Sequence, residues 1–433
     1  MPGSGQPRLR VAMATYGPLA FDSRVQREAR SLAAAGHRVR IYSLLADETI
    51  PADLAREVEI VRHGRASPRP APGGFRLWSL FRRAGWLLRK QRAVNRWGLW
   101  VAGHGVDVDV WHLHDFPALS AIVPRLDPPV PYVYDSHEVY FEFGTAARLP
   151  RPIRGLLQRS ERSLAKRSQA LVTVNEACAK ALAPLHAPET VVVHNCPPWT
   201  DSVPAGDPLR AAASIPAMAP VVLYHGLLAR DRGLEQLVDA MADPRLAAAH
   251  LVFLGYGDLR EELLARSTVH PAAARIHVLD AVPVEILPAW VAPADVEALP
   301  IQASTLNHWL STPNKLFEAL SVGVPVVVSD FPAMRAVVRG GPSGALGELC
   351  DPADPKSIAT AISALLTLDP SARLALRQRC REAARSRWNW EHEAERLIGL
   401  YDRIESDLRP RPKDVSTTQD YTPDRLDPAR SSS

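Results

Sequence analysis

The sequence predicts an α/β protein that consists of two doubly wound domains with parallel sheets. Short apolar runs alternate with helical stretches from Arg10 to His194, and the same alternation begins again at Val221. The intervening passage, from Pro197 to Pro208, is rich in proline. Strands separated by helices are typical of parallel sheets, and such a passage is typical of a linker. A chain of 433 residues is also longer than one hydrophobic core usually supports, so two domains are expected.

The first series begins with a strand at 10–15 and a helix at 23–35 that Gly36 ends. Further strands are expected at 39–45, 109–114, 132–135, 170–174 and 190–194. In the second series we expect a helix at 233–241 and strands at 221–226, 251–255, 276–279, 296–299 and 324–329. Two helical stretches follow Asp351, and the last, at 388–405, is apolar on one face. The predicted domains are 1–205, completed by about 388–407, and 206–387, followed by a tail at 408–433 that we expect to be disordered.

The composition argues against a secreted or membrane-spanning protein. The four cysteines have neither metal-ligand nor disulfide spacing, which indicates reduced thiols. No apolar run approaches the roughly 20 residues of a spanning helix, and residues 9–14 are too short for a signal peptide. We therefore expect a cytoplasmic protein.

The most informative stretch is 311–330, which predicts a helix that opens at a ligand and ends at a buried strand. Thr312 is the expected N-cap, Pro313 stands at the first turn, and Gly323 ends the helix. The free N–H groups of a helix start bind phosphate. Glu318 follows Asn314 by four residues, so both lie on one helix face. A carboxylate there can hold two ribose hydroxyls, and phosphate and ribose together indicate a nucleotide.

With these residues identified, the chain resembles the family 4 glycosyltransferases of the GT-B fold, from Arg10 to about Ile404. The strongest part is 313–318 followed by 323–327, and the other matching parts are 22–25 with 36–39, 135–138, 224–226 with 232–233, and 254–257. Their order and spacing are more specific than any single part. The resemblance implies two Rossmann-like domains that face a cleft, with a C-terminal helix that crosses back to the first domain.

The resemblance also implies roles for individual residues. Glu318 would bind the donor ribose, and the backbone N–H groups of Asn314 and Lys315 would hold the diphosphate. Arg232 stands where the family usually has a lysine on that diphosphate, and His137 matches a histidine beside the donor sugar. Fixed positive charge at a leaving diphosphate is usually the largest catalytic term, so Arg232, Lys315 and His137 are the expected catalytic residues. Such enzymes retain the anomeric configuration and need no metal or other cofactor.

Further positions complete the expected site. Gly226, Gly255 and Gly257 would line the donor subsite, where the last two form a tight turn above a strand. As evidence for a dinucleotide site this motif is weak, because Arg260 stands in place of the third glycine of the fingerprint. The residues expected at the acceptor side of the cleft are Asp22, Arg24 and Glu138.

Two positions depart from the family pattern. Leu310 stands where many members carry a glutamate, eight residues before the ribose glutamate, and Leu227 stands where many carry an arginine. The first change affects recognition of the donor sugar. The second leaves Arg232 and Lys315 with more of the diphosphate charge, unless Arg230 replaces the missing arginine.

An alternative metal site is indicated by His112 and His114, which share a strand face and precede Asp115. No distant third ligand is evident from the sequence, so transfer without a metal is the favoured interpretation. Asp107 and Asp109 resemble the acidic pair of metal-dependent transferases with another fold. They lead directly into a strand, and we interpret them as a turn.

The segment 75–100 combines aromatic and basic residues. Between Glu59 and Asp107 there are ten Arg or Lys residues and no Asp or Glu. Basic aromatic helices lie in anionic membrane interfaces, so we expect contact with a membrane surface or a lipid-linked acceptor. The residues expected there are Arg82, Arg83, Trp86, Arg89 and Lys90. Two helices that pack their aromatic side chains on the first domain are an alternative, and nucleic-acid binding is a weaker one.

The sequence therefore predicts a hexosyltransferase that moves a sugar from a nucleotide-diphosphate donor to a saccharide or lipid-linked acceptor, in cell-envelope or exopolysaccharide synthesis. We expect it in the cytoplasm or at the inner face of the cell membrane, without a nucleic-acid partner. Two alternatives stay open. One is a sugar-nucleotide epimerase of the same fold, and the other is a membrane-recruited scaffold that binds the nucleotide sugar without turnover.

Overall fold

A computed structural model of the chain describes residues 8–45, 50–65, 76–105, 107–142 and 144–409. Within these ranges two parallel sheets follow one another in the sequence. The predicted tail falls outside the described residues from position 410 onward. The predicted α/β architecture with two doubly wound sheets is confirmed.

The first sheet has seven parallel strands, which are β1 (Arg10–Pro18), β2 (Arg38–Leu45), β3 (Glu59–Arg65), β4 (Val110–His114), β5 (Tyr132–Ser136), β6 (Ala170–Thr173) and β7 (Thr190–Val192). Their order across the sheet is β3-β2-β1-β4-β5-β6-β7. The helices are α1 (Ser23–Ala34), α2 (Leu54–Glu57), α3 (Arg76–His104), α4 (Asp115–Ile122), α5 (Gly144–Ala147), α6 (Arg151–Ala165) and α7 (Glu176–Leu182). Short 3-10 turns lie at Leu19–Phe21, Val123–Arg125, Tyr140–Glu142 and Ala183–Leu185.

Two features of this sheet differ from the sequence prediction. The edge strand β3 was not predicted, because it lacks the long apolar run that marks a strand covered on both faces. The basic segment forms one helix of 29 residues, α3, where two helices were expected. Asp22 caps α1 by accepting a hydrogen bond from the N–H of Val25, and Gly36 has the positive φ of +93° that ends this helix.

The second sheet has six parallel strands, which are β8 (Val221–Leu227), β9 (His250–Tyr256), β10 (Ile276–Asp280), β11 (Val296–Leu299), β12 (Val326–Ser329) and β13 (Gly347–Cys350). Their order is β10-β9-β8-β11-β12-β13. The helices here are α8 (Pro208–Ala213), α9 (Leu234–Ala240), α10 (Arg260–Val269), α11 (Leu287–Val291), α12 (Leu306–Leu310), α13 (Asn314–Ser321), α14 (Pro332–Arg339), α15 (Pro355–Leu366), α16 (Pro370–Ser386) and α17 (Trp390–Leu408). Strand β13 was not predicted, and three helices follow Asp351 where two were expected.

Alternation along the strands of the first sheet sends side chains into two hydrophobic layers. Met13 faces the layer that contains Val25 of α1 and Leu400 of α17. Its neighbour Ala14 faces the opposite layer, with Trp97 of α3. The C-terminal helix α17 thus completes the core of the first domain, as the resemblance implied.

The two domains meet where the parallel strands end. Asn175 donates from Nδ2 to the carbonyl of Leu310, at 2.9 Å, and to Oγ1 of Thr312, at 3.1 Å. Asn195 donates to Oδ1 of Asn314 at 2.9 Å. The start of α13 therefore faces the first domain, and a ligand bound there lies between the two sheets.

Candidate active site

The first turn of α13 provides the expected phosphate-binding helix start. The helix begins at Asn314, directly after Pro313, and no side chain caps it. The prediction of Thr312 as N-cap is wrong, since Pro313 occupies that position, and the Thr312 hydroxyl accepts a hydrogen bond from Asn175. Without a capping side chain, the N–H groups of Asn314 and Lys315 are available to an anion.

Glu318 lies one turn further along α13 and is held by a buried histidine. Its Oε2 lies 2.9 Å from Nε2 of His225, while Nδ1 of His225 lies 3.0 Å from Oε1 of Glu297. Burial alone would lower the pKa of His225, but the two carboxylates outweigh it and raise the pKa to about 9. Burial would raise the pKa of Glu318, and the hydrogen bond from His225 instead lowers it. Both groups are therefore charged at neutral pH.

Lys315 lies beside this carboxylate, over an aromatic ring. Its Nζ donates to the hydroxyl of Tyr224 at 2.9 Å and lies 4.1 Å from the centroid of that ring. A Cβ on Gly226 would come within 3.1 Å of the same Nζ. Glycine at position 226 thus leaves room for the ammonium group, and Tyr224 fixes its position.

The glycines at 255 and 257 have a packing reason that is independent of any ligand. A Cβ on Gly255 would lie 1.9 Å from the carbonyl oxygen of Gly226, and one on Gly257 would lie 2.2 Å from that of Leu228. These contacts bring the ends of β8 and β9 together. Direct contact of Gly226, Gly255 and Gly257 with a donor stays a prediction.

The structure also locates the positions that depart from the family pattern. The side chain of Leu227 is half-exposed at the end of β8. Arg230 is largely exposed and forms surface ion pairs with Glu235 and Glu262. Arg232 lies close enough to Glu138 of the first domain for its charge to oppose part of the rise that burial gives the pKa of that carboxyl. Leu310 is buried, and its carbonyl accepts the bond from Asn175 described above.

His137 follows β5 and lies between two carboxylates. Its Nε2 lies 3.3 Å from Oδ2 of Asp135, and its Nδ1 lies 3.7 Å from Oδ2 of Asp115. Burial would lower the pKa of His137, but Asp115 and Asp135 outweigh it and raise the pKa to about 10. Its Nε2 is also 3.1 Å from Nδ1 of His114, whose pKa burial lowers to about 4. A charged His137 therefore donates to a neutral His114, and His137 is suited to stabilise negative charge, not to accept a proton.

Beneath His137 lies a buried ion-pair network. Arg24 lies 3.0 Å from Oε1 of Glu28 and 3.1 Å from both oxygens of Asp135. Because its side chain is only 3% exposed, the structure places Arg24 below the cleft and not on its acceptor side. Asp22 is taken up by the cap of α1. Of the three residues expected on the acceptor side, Glu138 alone reaches the facing domain by a hydrogen bond within the described ranges.

Four side chains of this network could also surround a metal ion. Glu28, His112, His114 and Asp135 offer ligand atoms within 4.8 Å of one another. Arg24 contacts both carboxylates and places one positive charge between them, so we interpret the group as an ion-pair network. Asp115, which the sequence grouped with the two histidines, lies outside this group of four.

The acidic pair at 107 and 109 is likewise ion-paired. Arg10 forms ion pairs with both Asp107 and Asp109. The pair lies just before β4, as expected for a turn. Among the described residues, Arg10 thus holds both carboxylates at this turn.

Contacts across the cleft involve residues that sequence analysis missed. Asn307 of α12 donates to Oε2 of Glu138 at 3.2 Å and accepts from the N–H of Val139 at 2.8 Å. Burial, helped by Asp115, raises the pKa of Glu138 to about 7. A carboxyl group that titrates near neutral pH therefore lies at the junction of the two domains.

In the described part of α3, some residues are exposed, as membrane contact would require, and others are buried in the first domain. Arg89 is exposed and Lys90 is half-buried, while the side chains of Arg82, Arg83 and Trp86 lie outside the described part of the structure. Of the tryptophans in α3 whose side chains are described, Trp97 is buried in the core and Trp100 stacks between two histidine rings. Among the described residues, no helix combines the length and hydrophobicity that a membrane crossing needs.

Comparison with known proteins identifies the class to which this fold and site belong. Residues 23–196 match the model of Glycosyltransferase Family 4, and residues 219–368 match that of Glycosyl transferases group 1. The chain therefore belongs to the family 4 glycosyltransferases with the GT-B fold. A curated relative, D-inositol 3-phosphate glycosyltransferase of Xylanimonas cellulosilytica, is 30% identical over 256 residues, which span 56% of this chain and 58% of that protein.

Solved structures agree with the fold. Sucrose-phosphate synthase from Thermosynechococcus elongatus superposes with a TM-score of 0.70 at 19% identity, over 92% of this chain and 100% of that chain. Anabaena HepE in complex with UDP-glucose gives a TM-score of 0.67 at 16% identity, over 91% and 100% of the two chains. At these identities the likeness extends to the fold alone.

Proposed function

We propose that this glycosyltransferase moves a sugar from a nucleotide-diphosphate donor to a saccharide or lipid-linked acceptor, with retention of configuration. One observation carries the proposal. A charged Glu318 is fixed one turn inside an uncapped helix start, at 2.9 Å from a charged His225. The carboxylate suits the two hydroxyls of a ribose, and the helix start suits the diphosphate.

The chemistry follows from where the charges lie. As the bond from the sugar C1 to the diphosphate oxygen breaks, negative charge grows on the leaving group and the sugar becomes oxocarbenium-like. Lys315 and Arg232 would stabilise that charge from the second domain, and His137 would add a positive charge from the first. Groups that are positioned before the reaction need no reorganisation in the transition state.

We propose further that transfer needs no metal, because these cations and the helix start do the work of an ion. Activity should survive exhaustive dialysis against EDTA. Loss of activity in chelator, restored by Mg²⁺, Mn²⁺ or Zn²⁺, would overturn this and would assign an ion to the group of Glu28, His112, His114 and Asp135.

The proposed acceptor is a cell-envelope or exopolysaccharide glycan at the inner face of the membrane. The acid-free segment that includes Arg89 motivates this choice. Changing Arg82, Arg83, Arg89 and Lys90 together to glutamate should weaken transfer to a lipid-linked acceptor more than transfer to a soluble one.

A screen of UDP-, GDP- and ADP-sugars by thermal shift, followed by product analysis, tests the function. A ligand that binds only the native state raises the melting temperature, and the anomeric proton signal of the product reports retention. The exposed Leu227 and the outward-turned Arg230 favour one rival, a scaffold that binds the donor without turnover. Tight donor binding without transfer to any envelope extract would support that rival.

A further inference from the structure

Helix α6 carries an exposed face that the core does not explain. Near its start, the side chains of Ile153 and Leu156 are 49% and 65% exposed. Its inward face is anchored by Leu164 and Ala165, which belong to a buried layer of the first domain. Large aliphatic side chains so exposed on a well-anchored helix need a partner more than scattered surface residues do.

The same face is strongly cationic. The exposed basic side chains of α6 and its flanks are Arg148, Arg151, Arg159, Arg162, Lys166 and Arg167. Leu156, Arg159 and Arg162 are spaced at three residues, so they follow one another along the helix surface. None of these six basic groups is ion-paired with a carboxylate in the described ranges.

The acidic group on α6 adds no charge to this face. Glu161 is buried and accepts a hydrogen bond of 2.6 Å from the hydroxyl of Tyr134. Burial raises its pKa to about 7. The helix therefore presents arginine, lysine and aliphatic side chains to solvent, with its carboxylate turned inward.

This face lies on the same side of the sheet as the basic helix α3. Both α3 and α6 pack against α4, and Arg89, Arg92, Arg96 and Leu99 of α3 are exposed. The sequence has no acidic residue between Glu59 and Asp107, so the side chains of this segment that the structure leaves undescribed bring no negative charge. Two cationic helices thus flank α4.

We propose that the exposed face of α6, defined by Ile153, Leu156 and its basic neighbours, docks on anionic lipid headgroups beside α3. Aliphatic side chains among basic ones suit the boundary between headgroups and acyl chains. A single-stranded nucleic acid would be expected to meet aromatic stacking groups, and α6 has none. The proposal deepens the proposed function, because it gives the lipid-linked acceptor a surface on which to approach.

The position of α6 connects this surface to the site. The chain leaves β5 at Ser136, passes His137 and Glu138 in the cleft, and enters α6 at Arg151. A helix that returns along a parallel sheet begins at the edge where the strands end. Docking through the first half of α6 would therefore hold the mouth of the cleft near the membrane.

The test is co-sedimentation of the full chain with vesicles of phosphatidylcholine alone or with added phosphatidylglycerol. Four proteins are compared with the native chain, namely R151E/R159E/R162E, I153S/L156S, the α3 variant R89E/R92E/R96E and the control R335E/R339E/R385E. The control makes the same change of net charge on exposed residues of the second domain. We expect the native chain and the control to pellet with anionic vesicles at low salt, and each α6 variant to partition at least about tenfold less. Binding should fade with salt, because screening shortens the attraction.

Several outcomes would overturn the proposal. One is unchanged partitioning of both α6 variants, and another is loss confined to R89E/R92E/R96E, which would assign docking to α3 alone. Tighter binding of a single-stranded oligonucleotide than of anionic vesicles, at equal phosphate concentration, would replace lipid by nucleic acid. Calorimetric donor binding and transfer to a soluble acceptor are measured on the same proteins and should not change. If they are intact while no protein binds vesicles, the docking surface is wrong and the transferase proposal stands.

Discussion

Each domain holds a histidine between two carboxylates, but the two domains expose opposite parts of that arrangement. In the first domain His137 is 19% exposed, and its inner partner Asp135 is fully buried. In the second domain His225 is 2% exposed, and its outer partner Glu318 is 28% exposed. The first arrangement presents a positive charge to the cleft, and the second presents a negative one.

The difference shows how one structural solution can serve two parts of a nucleotide sugar. A carboxylate facing the cleft can accept hydrogen bonds from ribose hydroxyls, whereas an imidazolium can stabilise a leaving phosphate or an electron-rich sugar oxygen. Buried charges are costly unless they are paired, so each exposed group needs its buried partner. Substitutions that remove the positive and the negative groups of the cleft separately test the two parts of this comparison.

The largest effect is expected from removing the cations of the second domain. Changing Arg232 and Lys315 together to alanine should slow transfer at least about 100-fold, the cost of losing one preorganised electrostatic donor. Affinity for the bare nucleoside should not change. Arg230→Ala is the matched control, because that side chain pairs with Glu262. Native transfer rates in the double variant would show that the leaving group is stabilised elsewhere.

The next largest effect is expected from removing the carboxylate of Glu318, which faces the cleft. Glu318→Ala should weaken nucleotide binding by about 1.5–3 kcal/mol, which is about 10- to 150-fold in Kd. Glu348→Ala removes a carboxylate that pairs with Arg339 away from the site and should leave calorimetric affinity unchanged. Equal affinities for both variants and the native chain would contradict the ribose assignment.

His225, the buried partner of Glu318, predicts that nucleotide affinity depends on pH. The pKa of His225 is raised from 6.5 to about 9, so its contribution to folding stability is complete below about pH 6.5 and is lost as pH rises through 9. In the folded protein the imidazolium itself persists until the pH approaches 9. Nucleotide affinity should therefore be steady from pH 6 to 8 and should fall toward pH 10. Glu297→Gln removes one carboxylate, which should lower the pKa of His225 and move this loss toward neutral pH.

Histidine signals in NMR spectra, followed over the same pH range, report the protonation of His225 directly. The control is His225→Gln, which does not titrate and should give weaker but pH-independent binding. If nucleotide affinity of the Glu297→Gln variant changed with pH as it does in the native chain, the proposed role of the His225–Glu297 pair would be refuted.

The smallest effect is expected at the junction of the domains. Because the pKa of Glu138 is raised to about 7, this group loses its proton between pH 6 and 8. The ionised carboxylate accepts the bond from Asn307 more strongly, so kcat/KM should rise a few-fold over this range. Glu138→Gln should flatten the profile, and an unchanged profile would assign the titration to another group.

The sequence predicted the parts of the fold and site that depend on local pattern. The run around Pro313 and Glu318 marks α13, because the helix period, the terminating Gly323 and a buried strand are all local signals. A strand end followed by polar residues located His137, and the start of the predicted helix located Lys315. The edge strand β3 and the short strand β13 were missed, since neither has the long apolar run of a central parallel strand.

The remaining site residues depend on contacts between distant parts of the chain. His225 and Glu297 lie 72 positions apart and meet because β8 and β11 are neighbours in the sheet. A polar residue inside an apolar strand was the signal that could have found them. Asn175, Asn195 and Asn307 gave no such signal, since each finds its partner only when the two domains face one another.

The most direct test of the account is a double-mutant cycle between Glu318 and the ribose. Calorimetry would compare the nucleoside diphosphate that binds best with its 2′,3′-dideoxy analogue, for the native chain and for Glu318→Ala. We predict that the native chain binds the analogue at least about tenfold more weakly, while the variant binds both ligands equally. If both chains lose the same factor, Glu318 does not hold the ribose and the proposed donor site is wrong.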